Sequence, residues 1–230
     1  MRALWLNPLQ ILDEYNLRGD SLHHLVNVVR INVGEKLLLL NGEGLLVETV
    51  IESLNKKEMF LKKLVDQREE RNFIFDLVLG MPKREALELC LKECTELGFR
   101  KIYLVKSDFS QMRFPEEDRV HKLLVSALEQ SNSPYLPEVV HATWEKIPFK
   151  DYGDVVLLDS QTKSPKPAGP ASGKDEKLLI VGPEGGFSPE EIQFLHSREQ
   201  VRVVNLPTPI LRTPTAVAAG AGVMLQSLLK

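Results

Sequence analysis

Apolar positions fall into two regimes along this chain. In "GEKLLLLNGEGLLVETVIESLNKKEMFLKKLV" (residues 34–65) strand-length apolar runs are broken by turns at 41–44 and 55–57. Gly in "NGEG" supplies the positive φ that a tight hairpin needs. Beyond residue 72 the apolar runs "FIFDLVLG" (73–80), "KIYLVK" (101–106), "DVVLLD" (154–159), "KLLIVG" (177–182) and "VRVVNL" (201–206) read as strands. Between them lie stretches of helical period. "KREALELCLKECTELG" (83–98) places Leu87, Leu91, Cys94 and Leu97 on one face and ends on Gly98 as the C′ residue. "PEEDRVHKLLVSALEQ" (115–130) begins on Pro115, a favoured first helical residue. Strands alternating with helices predict an α/β fold with a mostly parallel sheet. A short helix is expected over 20–30, capped by Asp20 or Ser21, with Leu22, Leu25, Val28 and Val29 on one side. The charged run "DQREERN" (66–72) marks a boundary between a small β-rich domain, 1–70, and an α/β domain, 73–230. The Pro/Ser/Gly-rich stretch 160–176 reads as a mobile loop.

Composition changes this picture little. The chain has 230 residues, 43% hydrophobic and 27% charged, ordinary values for a globular protein. No apolar run approaches a membrane span, and "MRALWLNPLQ" lacks the apolar stretch of a secretory signal, so a cytoplasmic protein is expected. Cys90 and Cys94 lie four residues apart with no second Cys or His pair to complete a zinc site. They are expected to be buried thiols, with no metal, and His23–His24 to sit on a helix surface. The net charge is −3 and the isoelectric point about 6.0. Any contact with RNA therefore comes from a local basic patch, not from global charge.

Three strand ends carry unusual loops. "IVGPEGGFSPEEI" (180–192) leads from a strand into a helix, with Ser188 as N-cap, Pro189 as first helical residue and Glu191 completing a capping box. Such a junction often binds anions, but it lacks both phosphate-loop glycine patterns, and Glu184 would repel a phosphate. The ligand expected here is neutral or cationic. "NLPTPILRTPTAVAAGAG" (205–222) follows a second strand, with Thr213 as N-cap and Pro214 as first helical residue of an Ala/Gly-rich helix that another backbone can approach closely. "DSQ" (159–161) follows a third. Ligands of open parallel sheets sit outside the C-terminal strand ends, so the three loops are expected to share one pocket.

The pair "GPEGGFSPEEI" (182–192) and "NLPTPILRTPTA" (205–216) resembles two signatures of the ribosomal RNA small-subunit methyltransferases that modify N3 of a uridine, a branch of the SPOUT superfamily. The third signature of that family is usually L-G-x-x-I-L-R-x-E-T-A. "TELG" (95–98) and "ALEQSNSPYLPEV" (127–139) are similar to further signatures, and "HHLVNVVRINVGEKLLLLNGEG" (23–44) to the family's PUA-like RNA-binding barrel. The resemblance implies a small PUA-like β-barrel over 1–70 and a SPOUT α/β domain with a deep trefoil knot over 73–230. It also implies S-adenosylmethionine as cofactor, a homodimer, and the small ribosomal subunit as partner. The cofactor carries a sulfonium and no phosphate, so a carboxylate beside it is tolerable. By resemblance, Leu158, Gly182, Pro183, Glu184, Gly185, Leu206, Ile210, Leu211 and Thr213 form its site.

The resemblance also frames the catalytic residues. Uracil N3 must lose its proton before it attacks, and a cation stabilises the charge this spreads onto the ring oxygens. Arg212 is assigned that role; its alternatives are a salt bridge or a phosphate contact. Glu129 acts as base or orients the uridine; its alternative is a helix-end carboxylate. Gln130 and Asn132 would bond the base, and Lys83, Arg84, Arg113, Arg119 and Lys122 the phosphates. The sequence departs from the family pattern at four places: Pro207 for Gly, Pro214 for Glu, Ser133 for Arg and Glu93 for Lys. These departures motivate the competing reading, a catalytically impaired knotted RNA-binding relative that keeps the cofactor pocket.

Overall fold

The structure, a computed structural model, describes residues 1–19, 22–23, 25–26, 30–71, 74–110, 113–160 and 175–226. Of the helix expected at 20–30, Asp20, Ser21, Val28 and Val29 lie outside the described residues, as do 161–174 of the Pro/Ser/Gly-rich stretch. The described residues form two compact units: Met1–Arg71 with Val125–Leu136, and Asn72–Leu124 with Pro137–Lys230.

The first unit is built on five strands: β1 (Arg2–Trp5), β2 (Glu14–Leu17), β3 (Lys36–Leu40), β4 (Leu45–Leu54) and β5 (Met59–Arg68). They form one sheet in the order β1-β3-β4-β5-β2, parallel only between β1 and β3. The "NGEG" turn joins β3 to β4, with Gly42 at φ 77 and Gly44 at φ 90. A β-carbon on Gly44 would lie 2.6 Å from the Glu69 carbonyl, so only glycine fits there. The four consecutive leucines of β3 are explained by burial on both faces. Leu37 and Leu39 enter a core with Leu4, Leu17, Val47, Ile51 and Leu61. Leu38 and Leu40 face the other way, with Leu46, Leu128, Trp5 and Leu136. Each buried leucine contributes roughly 1.5–3 kcal/mol.

Leu128 and Leu136 belong to the 125–136 segment, which the sequence division assigns to the second domain. Its contacts instead complete the first unit. Gly44 N–H donates to the Pro134 carbonyl at 2.9 Å and Leu136 N–H to that of Gly42 at 2.9 Å. The Tyr135 hydroxyl donates to the Glu69 carbonyl, and the Arg71 guanidinium lies 4.3 Å from the Tyr135 ring centre.

In the second unit six strands form one parallel sheet: β6 (Phe75–Gly80), β7 (Lys101–Val105), β8 (Glu138–Ala142), β9 (Asp154–Leu158), β10 (Lys177–Val181) and β11 (Val201–Val204). Their order is β11-β9-β10-β6-β7-β8. Strand β8, "EVVHA", is not among the expected strands; it lies on the edge with Val139 and Val140 only half-buried, so its apolar signal is weak. The α-helices bounded among the described residues are α1 (Arg84–Glu96), α2 (Glu117–Ser131), which passes from the second unit into the first at residue 125, α3 (Pro189–His196) and α4 (Thr213–Leu225). Helix α2 starts at Glu117, not Pro115, and α4 takes Arg212 rather than Thr213 as N-cap residue.

Helix α1 closes on Leu97, with Gly98 at φ 76 as expected of a C′ glycine. Its buried residues include Leu87, Leu91, Cys90 and Cys94, whereas Leu97 is half-buried. Burial pushes both thiols upward in pKa, so they are unreactive at neutral pH. At the N-terminal end of the sheet, the buried carboxylate of Asp76 is held on two sides. Arg100 Nε donates to Oδ1 at 3.0 Å while its second nitrogen bonds Oδ2, and the Tyr152 hydroxyl donates to Oδ2 at 2.6 Å.

Candidate functional site

The C-terminal ends of β9, β10 and β11 converge on one cavity of about 620 Å³, within the range of cofactor sites. Its floor is set by how β10 ends. After Val181, Gly186 N–H donates to the Pro183 carbonyl at 2.9 Å, with Gly186 at φ 73, and the chain turns into α3. The helix start follows the expected pattern: Ser188 Oγ accepts from Glu191 N–H, and the Glu191 side chain accepts from Ser188 N–H at 3.0 Å. The turn lies directly on β6. A β-carbon on Gly80 would stand 2.6 Å from Pro183 Cδ and 3.1 Å from Pro183 N, so β6 must end in glycine.

Hydrogen bonds tie the three loops together. Thr213 Oγ1 donates to the Gly182 carbonyl at 3.3 Å, and Asp159 N–H to the Val204 carbonyl at 3.1 Å. Asn205 Nδ2 donates to the Ser160 carbonyl at 3.4 Å. The close approach expected of the Ala/Gly helix is made within the chain. A β-carbon on Gly220 would meet Leu158 Cδ1 at 2.7 Å and Leu179 Cδ1 at 2.8 Å, so α4 lies flat on β9 and β10.

Leu158, Gly182, Pro183, Glu184, Gly185, Leu206, Ile210, Leu211 and Thr213 all line the cavity. Among the described residues none that lines it is Lys, Arg or His, and Asp159 and Glu184 carry its negative charge. Glu184 has a second task that the sequence does not reveal. Its carboxylate oxygens accept the Lys83 N–H at 3.1 and 3.2 Å, which places a negative charge at the N-terminus of α1. The sequence also does not single out Phe109, Asn205, Phe187 or Ile192, which line the same space. Phe109 sits in a loop that carries no motif. The polar alternation around Ile192 reads as an ordinary helix.

The remaining candidates are placed elsewhere. Arg212 is exposed and does not line the cavity, although Leu211 and Thr213 on either side do. Its carbonyl accepts the Ala216 N–H at 2.9 Å. Glu129, Gln130 and Asn132 belong to the first unit. There Glu129 Oε1 accepts the Trp5 backbone N–H at 2.9 Å, a structural role in anchoring β1. Asn132 adopts φ 55 and ends α2, with Ser133 N–H donating back to the Leu128 carbonyl at 3.1 Å. Its Oδ1 is buried without a partner among the described residues.

In the second unit Arg84 and Arg119 share the Glu88 carboxylate, at 3.1 and 2.6 Å. Arg119 first and Arg84 second hold that carboxyl below its ordinary pKa. Lys83, Arg113 and Lys122 are exposed. At the departures from the family pattern, Pro214 occupies the first turn of α4, where proline is tolerated. Ser133 is buried and its hydroxyl donates to the Tyr135 carbonyl at 3.1 Å. Glu93 is half-buried, and burial more than the neighbouring Glu96 raises its pKa. Among the described residues no group of three His, Cys, Asp or Glu could hold a metal, and no helix is long and apolar enough to cross a membrane.

Comparison with known proteins places this geometry. Ribosomal RNA small subunit methyltransferase E 2 of Borreliella burgdorferi is 26% identical, over 90% of this chain and 92% of its own. Ribosomal RNA small subunit methyltransferase E of Helicobacter pylori is 29% identical, over 86% of this chain and 88% of its own. A crystal structure of ribosomal RNA small subunit methyltransferase E from Neisseria gonorrhoeae, bound to S-adenosyl methionine, shares the fold with a TM-score of 0.83. It covers 99% of this chain and 98% of its own at 24% identity. Residues 17–64 match the RNA methyltransferase PUA domain. Residues 69–225 match the RNA methyltransferase domain, and the chain belongs to that family.

Proposed function

We propose that the protein transfers a methyl group from S-adenosylmethionine to N3 of a uridine in small-subunit ribosomal RNA. The observation that carries this reading is the cavity itself. It lies at three strand ends, its described walls combine apolar side chains, exposed backbone and a few polar groups, and its charged side chains among the described residues are the carboxylates of Asp159 and Glu184. That lining suits a sulfonium-bearing cofactor and disfavours a nucleotide phosphate. Leu158, Leu206, Ile210 and Leu211 supply apolar walls, and Gly182 and Gly185 leave backbone free to approach. The cofactor, when bound, supplies an electrophilic methyl group. The protein's part is to hold the acceptor nitrogen in line and to stabilise the charge left when N3 loses its proton. Arg212, exposed between two cavity-lining residues, is assigned the second task. The relatives named above act on ribosomal RNA by name, which supports the substrate.

A non-catalytic role finds no support, because the relatives named above are methyltransferases by name. The same reading includes a trefoil knot, a homodimer and a cytoplasmic location. Strand β10 lies between β9 and β6, a slot that a threaded chain would fill. Thr215, Ala218 and Gly222 leave a small-residue face of α4 exposed, where a second copy can approach. In this reading residues 1–70 serve as an RNA-binding barrel and 73–230 as the catalytic domain.

Calorimetry tests the cofactor assignment. S-adenosylmethionine and S-adenosylhomocysteine bind; NAD and ATP do not bind comparably, and equal or tighter nucleotide binding overturns the reading. Light scattering at micromolar concentration gives twice the chain mass of 26.0 kDa, and a monomer overturns the dimer.

A further inference from the structure

Phe109 lines the cavity yet is 48% exposed. It stands at the tip of a tight turn in which Ser110 N–H donates to the Ser107 carbonyl at 3.0 Å and Ser107 N–H to Ser110 Oγ at 3.1 Å. The turn is clamped from a second side. Asp108 N–H donates to Glu191 Oε1 at 3.3 Å, and Ser188 Oγ donates to Asp108 Oδ2 at 2.5 Å. Glu191 is buried and also accepts Trp144 Nε1 at 3.0 Å. A β-carbon on Gly185 would lie 3.0 Å from Phe109 Cβ, so the side chain springs from against the glycine loop. The backbone that carries Phe109 is thus fixed from two sides, while about half of the residue faces water. Lys106 and Arg113, nearby in sequence, are exposed cations.

We propose that Phe109 is the stacking platform for the target base. This rests on the RNA methyltransferase reading above. A base must leave its stack before chemistry on its ring. Stacking on an aromatic side chain replaces the lost neighbours without regard to the base's edges. A pyrimidine lying on Phe109 has its plane fixed and its N3 edge unobstructed, as in-line transfer to a ring nitrogen requires. Phe109 follows β7, so it joins the cavity from outside the loops after β9, β10 and β11, and its exposed part is open to a macromolecular substrate arriving from solvent. Lys106 and Arg113 supply phosphate contacts to the flanking strand.

The experiment measures steady-state methyl transfer from tritiated S-adenosylmethionine to small ribosomal subunits, with S-adenosylhomocysteine affinity on the same proteins. Phe109→Ala lowers kcat/KM roughly tenfold or more. Phe109→Leu, which keeps bulk and loses the ring, loses at least fivefold, while Phe109→Tyr stays within twofold. In Phe109→Ala and Phe109→Leu the S-adenosylhomocysteine affinity falls by a clearly smaller factor than kcat/KM, because the loops after β9, β10 and β11 supply most of the cavity lining. If Phe109→Leu methylates like wild type, or cofactor affinity falls in step with activity, the platform is overturned and the methyltransferase reading stands. If wild type transfers no methyl group, both are overturned.

Discussion

Arg212 and Tyr152 show two different dependences of function and stability on one side chain. The Arg212 guanidinium is exposed and off the cavity wall, so removing it leaves the cofactor's surroundings intact. An interaction made only in the transition state lowers kcat without weakening ground-state binding. Arg212→Ala therefore cuts methylation of the ribosomal uridine by roughly 100-fold or more, and calorimetry finds cofactor affinity within a few-fold. Near-normal turnover removes Arg212 from the mechanism. Tyr152 acts on stability instead. Its hydroxyl is one of the donors on the buried Asp76 carboxylate, and Tyr152→Phe lowers stability by about 1.5–3 kcal/mol in urea denaturation. Burial first, and the bond to Asp76 second, raise the Tyr152 pKa. The stabilisation is thus fully present below the unfolded tyrosine value of about 10 and fades as pH rises beyond it. Ultraviolet titration of native protein shows one tyrosine that ionises only on unfolding; its titration near pH 10 in folded protein contradicts the buried pair.

Strands and helices differ in how much of them can be read locally. The start of α3 was legible to the residue, because a capping box is a four-residue pattern whose partners are its own neighbours. Ser188→Ala takes the acceptor from the Glu191 N–H and the donor from the Asp108 carboxylate, and costs about 1–2 kcal/mol by chemical denaturation. Strand β8 was not legible, since an edge strand with two half-buried valines carries little pattern. Nor was the task of the 125–136 segment. The periodicity of α2 runs unbroken through residue 125, and nothing local shows that Leu128 packs with Leu38 and Leu40. The convergence of the loops was legible from their strand-end positions, but the glycine at the end of β6 was not, because its reason is Pro183, about a hundred residues on. Gly80→Ala pushes on Pro183 and weakens S-adenosylhomocysteine binding at least tenfold, while Gly98→Ala, with open space around it, strains only a helix end. Equal affinity in Gly80→Ala and wild type contradicts the role given to that contact.

For the molecule as a whole, charge limits how RNA is held. With a net charge of −3, attraction comes from a local patch and not from the overall field. Of the cations assigned to phosphates, Arg84 and Arg119 already share Glu88. The four that remain, Lys83, Lys106, Arg113 and Lys122, add about −3 to −4 to the log–log slope of RNA affinity against salt. Replacing all four with Ala flattens the slope measured by filter binding by about that much, and an unchanged slope removes them from the RNA contact. The central claim is that this cavity delivers a methyl group to a small-subunit uridine. It is tested most directly by mass mapping of small-subunit ribosomal RNA from a strain lacking the gene, with and without the wild-type gene restored. The account predicts one uridine that lacks an N3 methyl group in the deletion strain and regains it with the wild-type gene, but not with Arg212→Ala. An unchanged pattern of methylated uridines in the deletion strain contradicts it.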